Sequence, residues 1–376
     1  MRKPETIDPD PWHFPRPELA ESYLKAFHLK LSSARGLFAR RRMGKTEFLR
    51  RDLLPAAVSA GYLIAYTNLW DNRSAPDIAL VAALTDALEP QGVKSVLARL
   101  RQPVKKLKAS ASVPGGMGAA LEAELAQASV DKAEALREVL KQLDRQKKPL
   151  LLVIDEAQVL ARAQHSDFAH ALRAALDIRK ESIKVIFAGS SETTLREMFA
   201  RASEPFYNWA PLEAFPLLGD EFVAFTIKLM NSMARHKLTL VQGRRAFDEL
   251  HRTPEFFKRF IERYMLYQPQ GDEAALTHTK ASVFSDEHFL KQWTEMNPAD
   301  QAVITMLSQG QSDLHAREGM AKLSAMLGKP ATRNTAGHAL RRLQSENMVT
   351  RLALGDYRVE DEAFAEWIRR RTAPKR

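Results

Sequence analysis

Apolar residues fall into short unbroken runs separated by stretches of helical spacing, and this alternation governs the first half of the chain. Leu150-Leu151-Leu152-Val153-Ile154 and residues 183–188 are continuous apolar runs, the mark of strands buried on both faces. Gly36-Leu37-Phe38-Ala39 reads as the end of another buried strand, and residues 62–66 as a further one. Between them, residues 18–30, 76–88, 131–146 and 166–176 carry apolar positions at helical intervals. Strands alternating with helices predict an α/β domain over residues 1–215, a parallel sheet sandwiched by helices.

The pattern is interrupted once and then changes. From 104 to 113, Leu107, Ala109, Ala111 and Val113 alternate with Lys106, Lys108, Ser110 and Ser112, and Pro114-Gly115-Gly116 supplies a turn. That predicts an inserted β-hairpin over about 104–124. Beyond 215 the spacing is helical to 265, with breaks at Gly243 and Thr253-Pro254, and residues 268–285 are polar and read as a linker. Lid and linker together span 216–285. Within 286–376, helices are expected at 298–309, 318–327 and 331–346, then two short strands around Gly355-Asp356. Helix, helix, helix, hairpin is the winged-helix order.

Composition narrows the chemistry. The 376 residues include no cysteine, which excludes disulfides, thiolate zinc sites and cysteine nucleophiles. The ten histidines show no metal-ligand spacing. No run of about 18 apolar residues occurs and the N-terminus has no apolar core, so a cytoplasmic protein without membrane segments is expected. A net charge of +10 fits polyanion partners, or simply a basic soluble surface.

The loop after the first buried strand is Ala39-Arg40-Arg41-Arg42-Met43-Gly44-Lys45-Thr46, followed by Glu47 in a helix. It matches the phosphate-loop template except that Ala39 stands at the first glycine, which requires a negative φ there. In such a loop the backbone N–H groups face phosphate, Gly44 permits close approach, Lys45 neutralises phosphate charge and the Thr46 hydroxyl is a Mg²⁺ ligand. The run 150–154 ends in Asp155-Glu156, and in a parallel sheet the carboxyl ends of strands face the ligand crevice. Asp155 is thus a Mg²⁺ ligand, direct or through water, and Glu156 the group that activates water. Ser190 and Ser191 follow the next strand, where they either contact phosphate and the lytic water or cap the next helix.

These motifs resemble the archaeal-type AAA+ and STAND P-loop ATPases related to the Orc-type initiators. The residues that carry the resemblance are Ala39–Thr46, Ile154-Asp155-Glu156-Ala157-Gln158, Gly189-Ser190-Ser191, the element Phe14-Pro15-Arg16-Pro17-Glu18-Leu19 ahead of the loop, and the link Trp209–Phe215 into the lid. The resemblance covers about 14–265. It implies an ASCE-type fold, Mg-ATP binding and assembly of several copies, while the departures from its pattern at Ala39 and Ser191 predict slow hydrolysis. It assigns Ser191 to the sensor on the strand after Asp155-Glu156, and Arg201, with Arg196 as rival, to an arginine that meets a neighbour's nucleotide. It also puts Arg16 beside the nucleotide and Lys258 or Arg259 in the lid.

Residues 297–376 carry 13 Lys and Arg against 9 Asp and Glu. On the third helix Arg333, Asn334, His338, Arg341 and Arg342 lie off the apolar face, and Arg351 falls in the hairpin, so duplex DNA is the partner expected. The alternatives are a signalling ATPase whose winged helix holds a protein effector encoded separately, and a nucleotide-binding module with little turnover.

Overall fold

The computed structural model describes residues 10–72, 74–88, 134–190, 192–283, 286–311, 313–346, 348–353 and 356–372. The alternating half is a five-stranded parallel sheet with helices on both faces. Its strands are β1 (Ala34–Phe38), β2 (Leu63–Asn68), β3 (Leu150–Asp155), β4 (Ile183–Gly189) and β5 (Leu212–Ala214), in the spatial order β2-β3-β4-β1-β5. β4 therefore lies between β1 and β3, with Gly189 opposite Phe38 and Ala188 opposite Asp155.

The period of two explains the three layers. Leu150, Leu152 and Ile154 join a cluster with Leu80, Leu140, Leu172 and Phe187 on one face. Leu151 and Val153 point to the other face, among Phe27, Phe48, Leu49 and Leu53. Both β3 and β4 are buried along their whole length, as continuous apolar runs require.

The helix that opens at Lys45 is not regular throughout. It runs as Lys45–Phe48, passes through a π-turn at Leu49–Leu53 and resumes as Leu54–Ser59. Pro55 has no N–H to give the previous turn, and the widened turn accommodates it.

The supposed linker is a helix. Residues Gln268–Gln270 make one 3-10 turn and Gly271–Val283 an α-helix. Gly271 takes φ 81, Asp272 and Glu273 occupy the first turn, and Ala275, Leu276, Thr279 and Val283 are buried as a narrow stripe. Polar neighbours hid that stripe from a reading based on composition.

The lid helices are Asp220–Met233, Leu240–Glu249 and Pro254–Leu266. The C-terminal module has the expected order: Pro298–Ser308, Arg317–Leu327, Arg333–Ser345, then the antiparallel pair β6 (Val349–Ala353) and β7 (Asp356–Val359). A further helix, Glu362–Thr372, closes it. Lid and module share one buried cluster, from Phe222, Phe257 and Phe260 to Ile304, Leu340 and Phe364. The hairpin expected at 104–124 lies outside the described residues.

Candidate nucleotide-binding site

The loop between β1 and the helix at Lys45 opens on a cavity of about 370 Å³. Arg40 to Phe48 line it from the loop, Glu156 and Ser190 from the strand ends, and Leu218, Phe222, Pro254, Glu255 and Lys258 from the lid. Trp12, His13, Phe14 and Arg16 close it from the N-terminal side. Ala39 donates its N–H to the Gly189 carbonyl at 3.3 Å. The left-handed positions of the loop are Arg42 (φ 67) and Gly44 (φ 82), so the Cβ of Ala39 costs nothing.

Asp155 organises the floor. It is fully buried and accepts from the Lys45 ammonium at 2.7 Å, the Thr46 hydroxyl at 2.6 Å, the Tyr66 hydroxyl at 3.3 Å and the Glu156 N–H at 3.0 Å. Lys45 and Asp155 thus neutralise one another in a largely buried position. Tyr66 escaped sequence reasoning because a strand tyrosine reads as packing. Burial, reinforced by the charge of Asp155, pushes its phenol well above the ordinary range and keeps it a donor.

Glu156 leaves β3 in the left-handed conformation (φ 56). Its Oε2 accepts from the Ser190 hydroxyl at 2.7 Å and from the Gln158 amide at 2.6 Å. Ser191 lies outside the described residues; Ser190 is the serine in contact with Glu156.

Arg16 sits with its guanidinium over Phe48 and Phe215, 4.9 and 4.4 Å from the ring centroids, and donates to the Pro216 and Gly44 carbonyls. Burial pulls it down to about 10 against the opposing pull of Asp52. Arg41 stacks over Trp70 at 4.2 Å. Arg42 reaches toward Glu255 and toward Asp361 of the C-terminal module, each at 3.6 Å. Of the two lid candidates, Lys258 lines the cavity, whereas Arg259 pairs with Glu255 at 2.8 Å and is not among the cavity residues.

Arg201 does not line the cavity of its own chain. It is exposed, pairs with Glu197 at 2.7 Å and lines a second cleft of about 340 Å³. That cleft separates the core, at Trp70, Gln158 and Arg162, from Arg341, Gln344 and Ser345 of the helix Arg333–Ser345. Arg333, Asn334 and His338 are exposed on that helix, and Arg351 lies in β6 opposite Tyr357. Arg342 is exposed and makes a two-pronged contact with the buried carboxylate of Asp300 at 2.8–3.2 Å. Arg342→Ala should therefore act on folding, leaving Asp300 uncompensated at a cost of about 1–3 kcal/mol, read as a lower denaturation midpoint.

A parallel sheet with a phosphate-type loop on β1, an acidic pair on β3 and β4 between them defines the P-loop nucleotide-binding fold of the ASCE type. No protein-family model matches the sequence, and no curated protein matches it. Among solved structures, the Walker-type ATPase of Pyrococcus abyssi aligns with a TM-score of 0.64 at 16% identity, over 94% of this chain and 95% of that one. The ORC2 protein of Aeropyrum pernix, in its ADPNP-ADP complexes, aligns with a TM-score of 0.54 at 13% identity, over 95% of this chain and 93% of that one. The chain shares its fold with these two structures. No helix among the described residues is long and apolar enough to cross a membrane.

Proposed function

We propose that the chain binds and hydrolyses Mg-ATP and uses the nucleotide to switch its hold on duplex DNA. The observation that carries this reading is the buried cluster of Lys45, Thr46 and Asp155 beside Glu156 and Ser190, at the mouth of one cavity. The residues fit the ligand. Lys45 and Asp155 each hold the charge the other needs, and a phosphate and a divalent cation are the groups that can replace those partners. Lys45 and the loop N–H groups would hold phosphate, and Thr46 and Asp155 would hold Mg²⁺. When bound, Mg²⁺ neutralises charge that builds on the phosphate oxygens. Glu156 would orient and accept a proton from water, with Ser190 fixing its carboxylate. The nucleotide complexes of the Aeropyrum pernix protein support adenine.

The DNA part rests on the C-terminal module read as a winged helix, on its exposed Arg333, Asn334 and His338, and on the net charge of +10. The exposed place of Arg201 supports a role toward a neighbouring copy, in an oligomer, rather than toward its own nucleotide. The test is ATP hydrolysis with and without duplex DNA, in the parent chain and in Lys45→Ala, alongside DNA binding at several salt concentrations. Hydrolysis should vanish in Lys45→Ala. DNA affinity should fall steeply with salt, and Arg333→Glu should lower it at least fivefold. Duplex DNA that neither binds nor alters hydrolysis would point instead to a protein partner for the module.

A further inference from the structure

Gln158 completes the group around Glu156, and hydrolysis chemistry as described gives it no part. The left-handed turn at Glu156 leads into the 3-10 segment Ala157–Ala161, which folds Gln158 back over the carboxylate. Its amide Nε2 donates to Glu156 Oε2 at 2.6 Å and to Ser190 Oγ at 3.3 Å, while Ser190 donates to the same Oε2 at 2.7 Å. The three side chains form a closed triangle on one carboxylate oxygen. The amide cannot turn round, because its own oxygen would then face the carboxylate.

Two features show that the fold accepts a cost to place this amide. Gln158 is 5% exposed, and its Oε1 is buried without a hydrogen-bond partner, an expensive condition for a polar atom. Gly189 makes the room: a Cβ there would stand 2.5 Å from that Oε1. Gln158 also forms part of the wall of the cleft shared with Arg341, Gln344 and Ser345. The side chain on Glu156 is therefore reached from the space between the core and the C-terminal module.

We propose that Gln158 is a positioning residue for hydrolysis: it fixes the direction in which the Glu156 carboxylate faces the nucleotide cavity. This rests on the reading of Glu156 as the group that activates water. A carboxylate released from one of its two donors samples orientations that do not address the water, and the loss falls on turnover rather than on nucleotide binding.

The experiment measures kcat and KM for ATP, and binding of a fluorescent ATP analogue, in the full-length chain. Gln158→Ala should lower kcat about tenfold or more, with KM and analogue affinity within about twofold. Gly189→Ala, which displaces the amide without removing it, should lower kcat in the same direction. Gln158→Glu keeps the shape but opposes two carboxylates. Its kcat should fall at pH 8 and recover in part toward pH 6, as the pair takes up a shared proton. A packing role alone would change the melting temperature without that kcat split or pH response. If Gln158→Ala does not fold, the isosteric Gln158→Glu carries the test. Folded Gln158 variants with kcat within twofold of the parent would overturn the proposal, provided Glu156→Gln is inactive. A Glu156→Gln chain that still turns over ATP would instead overturn the reading of Glu156 itself.

Discussion

Glu156→Gln is expected to cut ATP hydrolysis by at least about 100-fold while ATP affinity stays within about threefold. The two side chains have the same shape, so the turn after β3 and the contact with Ser190 survive the exchange. What disappears is the ability to take a proton from water, and general-base catalysis is worth about 10²–10⁴ in rate. Binding persists because the residues proposed to hold phosphate and cation, Lys45, Thr46 and Asp155, are not altered. Single-turnover hydrolysis beside an equilibrium binding titration checks both halves. A retained rate would remove Glu156 from the chemistry.

Lys45→Ala should have the second largest effect, on two measurements at once. ATP affinity should drop by two orders of magnitude or more, since the ammonium is the charge proposed to hold the phosphate. The nucleotide-free protein should also lose about 3–5 kcal/mol of stability, because a fully buried Asp155 is left without its counter-charge. Urea denaturation without nucleotide reads this second effect. Lys45→Met combined with Asp155→Asn should recover part of the stability and none of the binding, since both charges are removed while an amide oxygen still accepts from Thr46 and Tyr66. If the double variant is as unstable as Lys45→Ala, the cost does not come from the unpaired carboxylate.

Much of this site is legible in the sequence because it sits at strand ends, and the strands announce themselves. β3 and β4 are unbroken apolar runs, so the residues that follow them, Asp155-Glu156 and Ser190, could be placed without knowing the fold. The loop spelling was enough to single out Lys45 and Thr46 despite Ala39, whose φ the structure leaves on the ordinary side. What sequence could not supply were partners brought in from elsewhere. Tyr66 reaches Asp155 across 89 positions, and nothing in a strand tyrosine marks it as a donor to a carboxylate. The partner of Arg342, Asp300, stands 42 positions away, and nothing in the spacing of the helix announces it. Gln158 stood two residues from Glu156, yet its role depends on a left-handed turn that has no glycine to advertise it. The helix Gly271–Val283 was missed for the opposite reason, its buried stripe being thin and its other residues polar.

The position of β4 sets the dimensions of the site. The loop belongs to β1 and the acidic pair to β3, and these strands never touch; β4 alone is hydrogen-bonded to both. The strands that carry the two half-sites thus stand two strand spacings apart, about 9.6 Å, and their alignment is read off a third strand. That strand works as a ruler. One residue inserted within Ile183–Gly189 would slide one edge against the other by about 3.3 Å, more than the contact between Lys45 and Asp155 could absorb. Residues with no view of the nucleotide, such as Val185 and Phe187, therefore hold its binding groups to measure.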